Sequence, residues 1–231
     1  MPNRKIMELM VEQRRQMRPE AERVYRRYKE QVPGLIRQLG GPTQAEHDRA
    51  FELLKQMGDT IVSELLDALA DPTLDPIAVD EVVSLLGMTG DERAREPIWK
   101  FFLTYRDDPE RASTAALSLA GLGDDRVLPF IREALDSDDT EIVANAVASL
   151  IMLGELEDIP RLRAVHRRHR ADPEIRMGAA NAVLTILGET DQRTFERTLN
   201  EIRFSFADRD LWADIWAILD SQFGPGRVQV H

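Results

Sequence analysis

Apolar residues recur through the middle of the chain at helical offsets, and the pattern restarts every 31 to 34 residues. Leu54, Leu86, Leu119, Leu150 and Leu184 each stand four residues before a glycine: Gly58, Gly90, Gly123, Gly154 and Gly188. Eight before the same glycines stand Ala50, Val82, Ala115, Ala146 and Ala180, and eleven before stand His47, Val79, Ala112, Val143 and Met177. Steps of three and four residues place these positions on one helix face. The small residues at the middle position let a second helix approach closely. One residue after each glycine stands an acid, Asp59, Asp91, Asp124, Glu155 or Glu189. Glycine accepts the left-handed turn that stops a helix. The acid after it can cap or charge the start of the next one.

The following stretches have their own helical pattern. Pro97, Pro129 and Pro160 lie six or seven residues past the glycine. Proline costs little only in a first helical turn, so these mark helix starts. Ile98, Phe101, Phe102; Phe130, Ile131, Ala134, Leu135; and Leu162, Val165 then follow at helical spacing. Asp71-Pro72, Asp108-Pro109, Ser137-Asp138-Asp139 and Asp172-Pro173 break the chain in register. Helix, tight turn, helix at this period is the mark of a solenoid. Five helix pairs are predicted, at 43–72, 75–107, 109–138, 140–171 and 173–203. Thr43 with Glu46 reads as a capping box at the first.

Outside the repeats, residues 1–42 predict capping helices, one over 3–17 and a second opened by Pro19 over 19–31. A short helical turn from Pro33 to Leu39 precedes the Gly40-Gly41-Pro42 break. Terminal units of a solenoid must cover an apolar end. The same segment is basic, with Arg14, Arg15, Arg18, Arg23, Arg26 and Arg27, so docking of an acidic partner is a second role it can fill. Residues 204–231 predict a closing helix, capped by Asp208 or Asp210, and a tail. Trp212 and Trp216 on that helix either bury the last repeat or form an exposed patch.

The segments DPERASTAALSLAGLGDDRVLPFIREAL (108–135) and DPEIRMGAANAVLTILGETDQRTFERTL (172–199) resemble the short bacterial HEAT repeat, the phycobilisome-lyase-type HEAT-like repeat. The resemblance implies an all-α fold, a right-handed α-α superhelix in which the second helix of each pair lines the concave face. It implies an interaction scaffold more readily than an enzyme.

Composition narrows the chemistry. The chain has no cysteine, which removes disulfides, thiol catalysis and thiolate metal sites. Its net charge of −11 opposes general affinity for nucleic acid. No apolar run approaches a membrane helix or a signal peptide, so a soluble cytoplasmic protein, a monomer or weak homodimer, is expected. No phosphate loop, nucleophile elbow, zinc-protease helix or dinucleotide turn is present. No catalytic residue, metal site or cofactor is expected. His166 and His169 are three apart, but flanking arginines repel a cation and a metal wants more ligands.

One cluster stands out. Arg161, Arg163, Arg167, Arg168 and Arg170 lie within RLRAVHRRHR with no acid among them. Arg126 and Arg132 precede them on the neighbouring second helix, and Arg193, Arg197 and Arg203 follow. On the concave face that the resemblance assigns to second helices, they would form an arginine stripe for an acidic protein segment or another anion. Arginine's fork of donors suits carboxylate and phosphate. The competing reading pairs them with Glu157, Asp158, Glu196 and Glu201. The leading functional expectation is a non-enzymatic protein-binding scaffold with an acidic partner. The alternatives are a bilin-lyase-like or chromophore-binding protein and a nucleic-acid binder similar to HEAT-like alkylpurine DNA glycosylases.

Overall fold

The computed structural model describes residues 4–223, and among these it contains no strand. The helices are α1 (Arg4–Tyr28), α2 (Val32–Gln38), α3 (Gln44–Met57), α4 (Val62–Leu69), α5 (Pro76–Thr89), α6 (Arg95–Thr104), α7 (Pro109–Gly121), α8 (Leu128–Ala134), α9 (Thr140–Leu153), α10 (Ile159–Arg168), α11 (Pro173–Gly188), α12 (Gln192–Phe204) and α13 (Arg209–Phe223). The fold class is all-α, built from repeated helix pairs. The chain forms two compact units, Met7–Val127 and Leu128–His231 with Met1–Ile6.

Aspartates punctuate both units. Asp75, Asp108, Asp139 and Asp172 each cap the first helix of a pair by accepting a backbone amide, as Thr43 does for α3. Prolines at 76, 109 and 173 follow three of them in the first turn. Each such cap contributes about 1 kcal/mol. Of the expected Thr43–Glu46 capping box one half forms: the Glu46 amide lies 3.3 Å from Thr43 Oγ1, while the Glu46 carboxylate accepts from the Thr43 hydroxyl at 2.8 Å rather than from its backbone amide. Within α6, α8 and α10, Pro97, Pro129 and Pro160 occupy the first turn.

In the Met7–Val127 unit, α5 packs on α4 and α7, α6 packs on α7, and α2 packs on α3. Leu54, Leu86 and Leu119 are buried, with Ala50, Val82 and Ala115 one turn before them. The α5–α7 contact is backbone-close: a Cβ on Gly87 would stand 2.6 Å from Ser118 Cα. In the Leu128–His231 unit, α11 is the central helix, packed on α9, α10 and α13. Its core joins Ala146 and Leu150 to Ala180, Val183 and Leu187, and Leu211, Ile215 and Leu219 of α13 close it.

The structure departs from the sequence pattern at four points. Pro19 does not divide two helices; α1 runs through it for 25 residues. Proline removes one intrahelical bond, that to Arg15, and both residues face solvent, where water can satisfy the freed carbonyl. The register leucine of the fifth repeat, Leu184, is only partly buried, because Val183, Ile186 and Leu187 face the core of the longer α11. Of the residues eleven before the glycines, only Ala112 and Val143 are buried. The glycines also differ in kind. Gly58, Gly90 and Gly123 have φ of 53°, 69° and 71°. Gly154 has φ −60°, and it is needed instead for space, since a Cβ there would lie 2.6 Å from Ile186 Cδ1. Gly188 is the last residue of α11, and a Cβ would meet nothing within 4 Å.

α13 buries Leu211, Ile215 and Leu219, while Trp212, Trp216 and Ile218 sit half-buried, the two indole ring centroids 5.7 Å apart. The tail from residue 224 lies outside the described residues. Among the described residues no helix is long and apolar enough to cross a membrane.

Candidate binding surfaces

The arginines singled out by sequence are placed in two settings. Arg126 belongs to the Met7–Val127 unit, at the turn into α8. Its guanidinium reaches both oxygens of Asp124, with Nε 2.9 Å from Oδ1, and donates to Glu96 at 2.8 Å. It also stacks 4.4 Å from the centroid of the Trp99 ring. Burial opposes the charge of Asp124, yet the guanidinium and amide of Arg126 hold its carboxyl below the ordinary aspartate range.

In the Leu128–His231 unit the arginines converge on two buried carboxylates. Arg132 of α8 donates to Asp158 through Nε at 2.8 Å and reaches Glu155 at 3.2 Å and Glu157 at 2.8 Å. Arg161 approaches the same Asp158 at 3.8 Å. Arg163 and Arg167, one turn apart on α10, share Asp208. Arg163 Nε lies 3.0 Å from Oδ2 and Arg167 NH1 2.7 Å from Oδ1. Asp208 is 1% exposed. Burial would raise its pKa, but Arg163, Ser205 and Arg167 together keep it below the usual value. Arg168 donates to the Leu135 carbonyl and faces Asp136 at 3.5 Å. Arg170 lies 3.4 Å from Asp210. Arg197 is within 4.0 Å of Glu201, and Arg193 is exposed.

These side chains therefore do not form a bare basic stripe. Glu157, Asp158 and Glu201 take partners in the way the competing sequence reading allowed, whereas Glu196 accepts from Gln192. Asp208, which the sequence offers only as a cap for the closing helix, holds two of them. The two histidines also part ways. Buried His166 meets Asp214 at 2.7 Å, where Arg176 also lies 2.9 Å away. His169 accepts from Arg168. Among the described residues no group of three or more His, Cys, Asp or Glu is arranged to hold a metal.

An apolar concavity lies elsewhere, in the Met7–Val127 unit. A groove of about 660 Å³ opens between α4 and α6, floored by the 70–76 connection and the first turn of α5. Leu66, Leu69, Pro72, Leu74, Pro97 and Phe101 give it an apolar lining; Lys100, Thr104, Tyr105 and Arg111 give it polar edges. Arg111 is fixed in place. Its guanidinium lies 4.3 Å from the Tyr105 ring centroid, donates to Asp80 at 3.2 Å and to the Pro76 carbonyl at 3.2 Å. Burial pushes the Asp80 carboxyl up, and Arg111 draws it back only in part. No linear motif marks this groove, because its wall comes from two helix pairs and a loop. The Asp-Pro breakers were its only visible trace in the sequence.

The family comparison fits the helix-pair architecture. The chain matches no curated protein. A designed armadillo repeat protein solved in complex with the peptide (KR)4 is 17% identical, with a TM-score of 0.42 over 82% of this chain and 98% of that one. Residues 100–184 match the family model described as HEAT repeats, and over that stretch the chain is similar to HEAT repeats.

Proposed function

We propose that the protein is a non-enzymatic interaction module that grips a segment of another protein in the groove between α4 and α6. The observation that carries this reading is the groove itself: about 660 Å³ of apolar-lined space, open to solvent and edged by polar groups. A site of that size and lining is the default candidate for binding. Both walls are second helices of their pairs, the face on which the HEAT resemblance places partners. In this reading the arginines of α10 tie α10 to the segment that leads into α13, rather than meeting a ligand. The expectation of an anionic partner is kept, but its seat moves from α10 to the groove.

The test is site-specific photo-crosslinking in the organism of origin. A photoreactive residue at Thr104, on the groove's edge, should capture one protein that excess unmodified protein competes away. A residue at Arg161 serves as the comparison. Capture from Arg161 but not from Thr104 would move the site to α10, and capture from neither would remove the interaction reading.

A further inference from the structure

Three charged residues line the groove, and two of them are held by neighbours. Arg111 is taken up by Asp80 and the Pro76 carbonyl. Asp71 accepts from the Thr73 amide at 2.8 Å and the Thr73 hydroxyl at 2.7 Å, and it lies in the attractive field of Arg37. Glu96 stands four residues before Lys100, the spacing at which a helical Glu–Lys pair forms. It is drawn instead to Arg126, at 2.8 Å. Lys100 is left with an exposed ammonium at the edge of an apolar concavity and no ion pair among the described residues.

An ion pair at the rim of an apolar groove sets register and selects the partner's sign.

We infer that the groove takes an apolar peptide segment carrying an aspartate or glutamate placed to meet Lys100. This rests on the groove being the binding surface, as proposed above, and adds the chemistry of what it binds.

The test is selection of random 12-residue displayed peptides on the whole protein, repeated on Lys100→Glu and on Thr104→Trp. Both positions are exposed, and circular dichroism melts confirm that the variants fold. The wild type should select apolar peptides with an acidic residue at a fixed place. Changing that residue from Glu to Gln in a synthetic copy should weaken binding about three- to fivefold. Lys100→Glu should turn the selection toward Lys or Arg at the same place, and Thr104→Trp should lose the peptides. If Lys100→Glu selects the same peptides as the wild type, or the wild type selects basic or uncharged ones, the inferred chemistry is wrong while the groove stands. If no peptide is selected, or Thr104→Trp keeps them all, the groove reading falls as well.

Discussion

Arg163 reaches from α10 to the carboxylate of Asp208, forty-five residues later, with Nε 3.0 Å from Oδ2. Arg167 closes on the other oxygen. Removing the acid would leave two guanidiniums, 23% and 38% exposed, facing each other without a counter-charge. Breaking a buried pair costs about 3–5 kcal/mol, and the partial exposure of these arginines lowers that to roughly 2–3 kcal/mol. Urea unfolding of Asp208→Ala should show that loss. Charge reversal of Arg163, Arg167 and Arg170 together should likewise lower the melting temperature.

The same carboxylate should leave a signature in acid. Its pKa is depressed in the folded protein. The stabilisation it gives is therefore present above the unfolded value, about 3.9, and lost as pH falls through the folded one. Thermal melts of wild type and Asp208→Asn should differ by a constant amount from pH 7 to about pH 5. The gap should close below about pH 4. A gap that persists unchanged at pH 3 would mean the ion pairs do not set it.

His47 of α3 makes the opposite case. It meets Asp48 at 3.1 Å and Glu81 of α5 at 3.0 Å. These acids, Asp48 foremost, raise its pKa against the effect of burial. Its contribution is full below about pH 6.5 and is lost as pH rises through the raised folded value. His47→Gln should lower the melting temperature at pH 5.5 and leave it nearly unchanged at pH 9.

Two glycines in equivalent-looking helices should answer differently to alanine. At Gly87 the added methyl would press on the backbone of Ser118, so Gly87→Ala should cost about 1–3 kcal/mol and separate α5 from α7. At Gly188 a Cβ meets nothing, so Gly188→Ala should be neutral or stabilise by up to about 1 kcal/mol. Denaturant midpoints of the two variants check both signs.

What the sequence revealed was what repeats. The breakers, first-turn prolines and register leucines recur at nearly constant spacing, so the helix pairs could be read from them, although Asp108, Asp139 and Asp172 among the breakers prove to be caps. What escaped it depended on surroundings. Pro19 looks like a break until both it and Arg15 are seen to face water. Asp208 looks like a cap because capping is local, while its burial and its two arginines come from a helix forty residues earlier. The groove was invisible for the same reason. Leu69, Pro72 and Phe101 read as ordinary apolar residues, and only packing turns them toward a shared space.

The central claim is that binding occurs between α4 and α6. Hydrogen exchange of the intact protein, with and without a selected peptide or captured partner, tests it most directly. The account expects added protection in α4, the 70–76 connection and α6, with α10 to α13 unchanged. Protection confined to α10 and its arginines, with the groove exchanging as before, would contradict it.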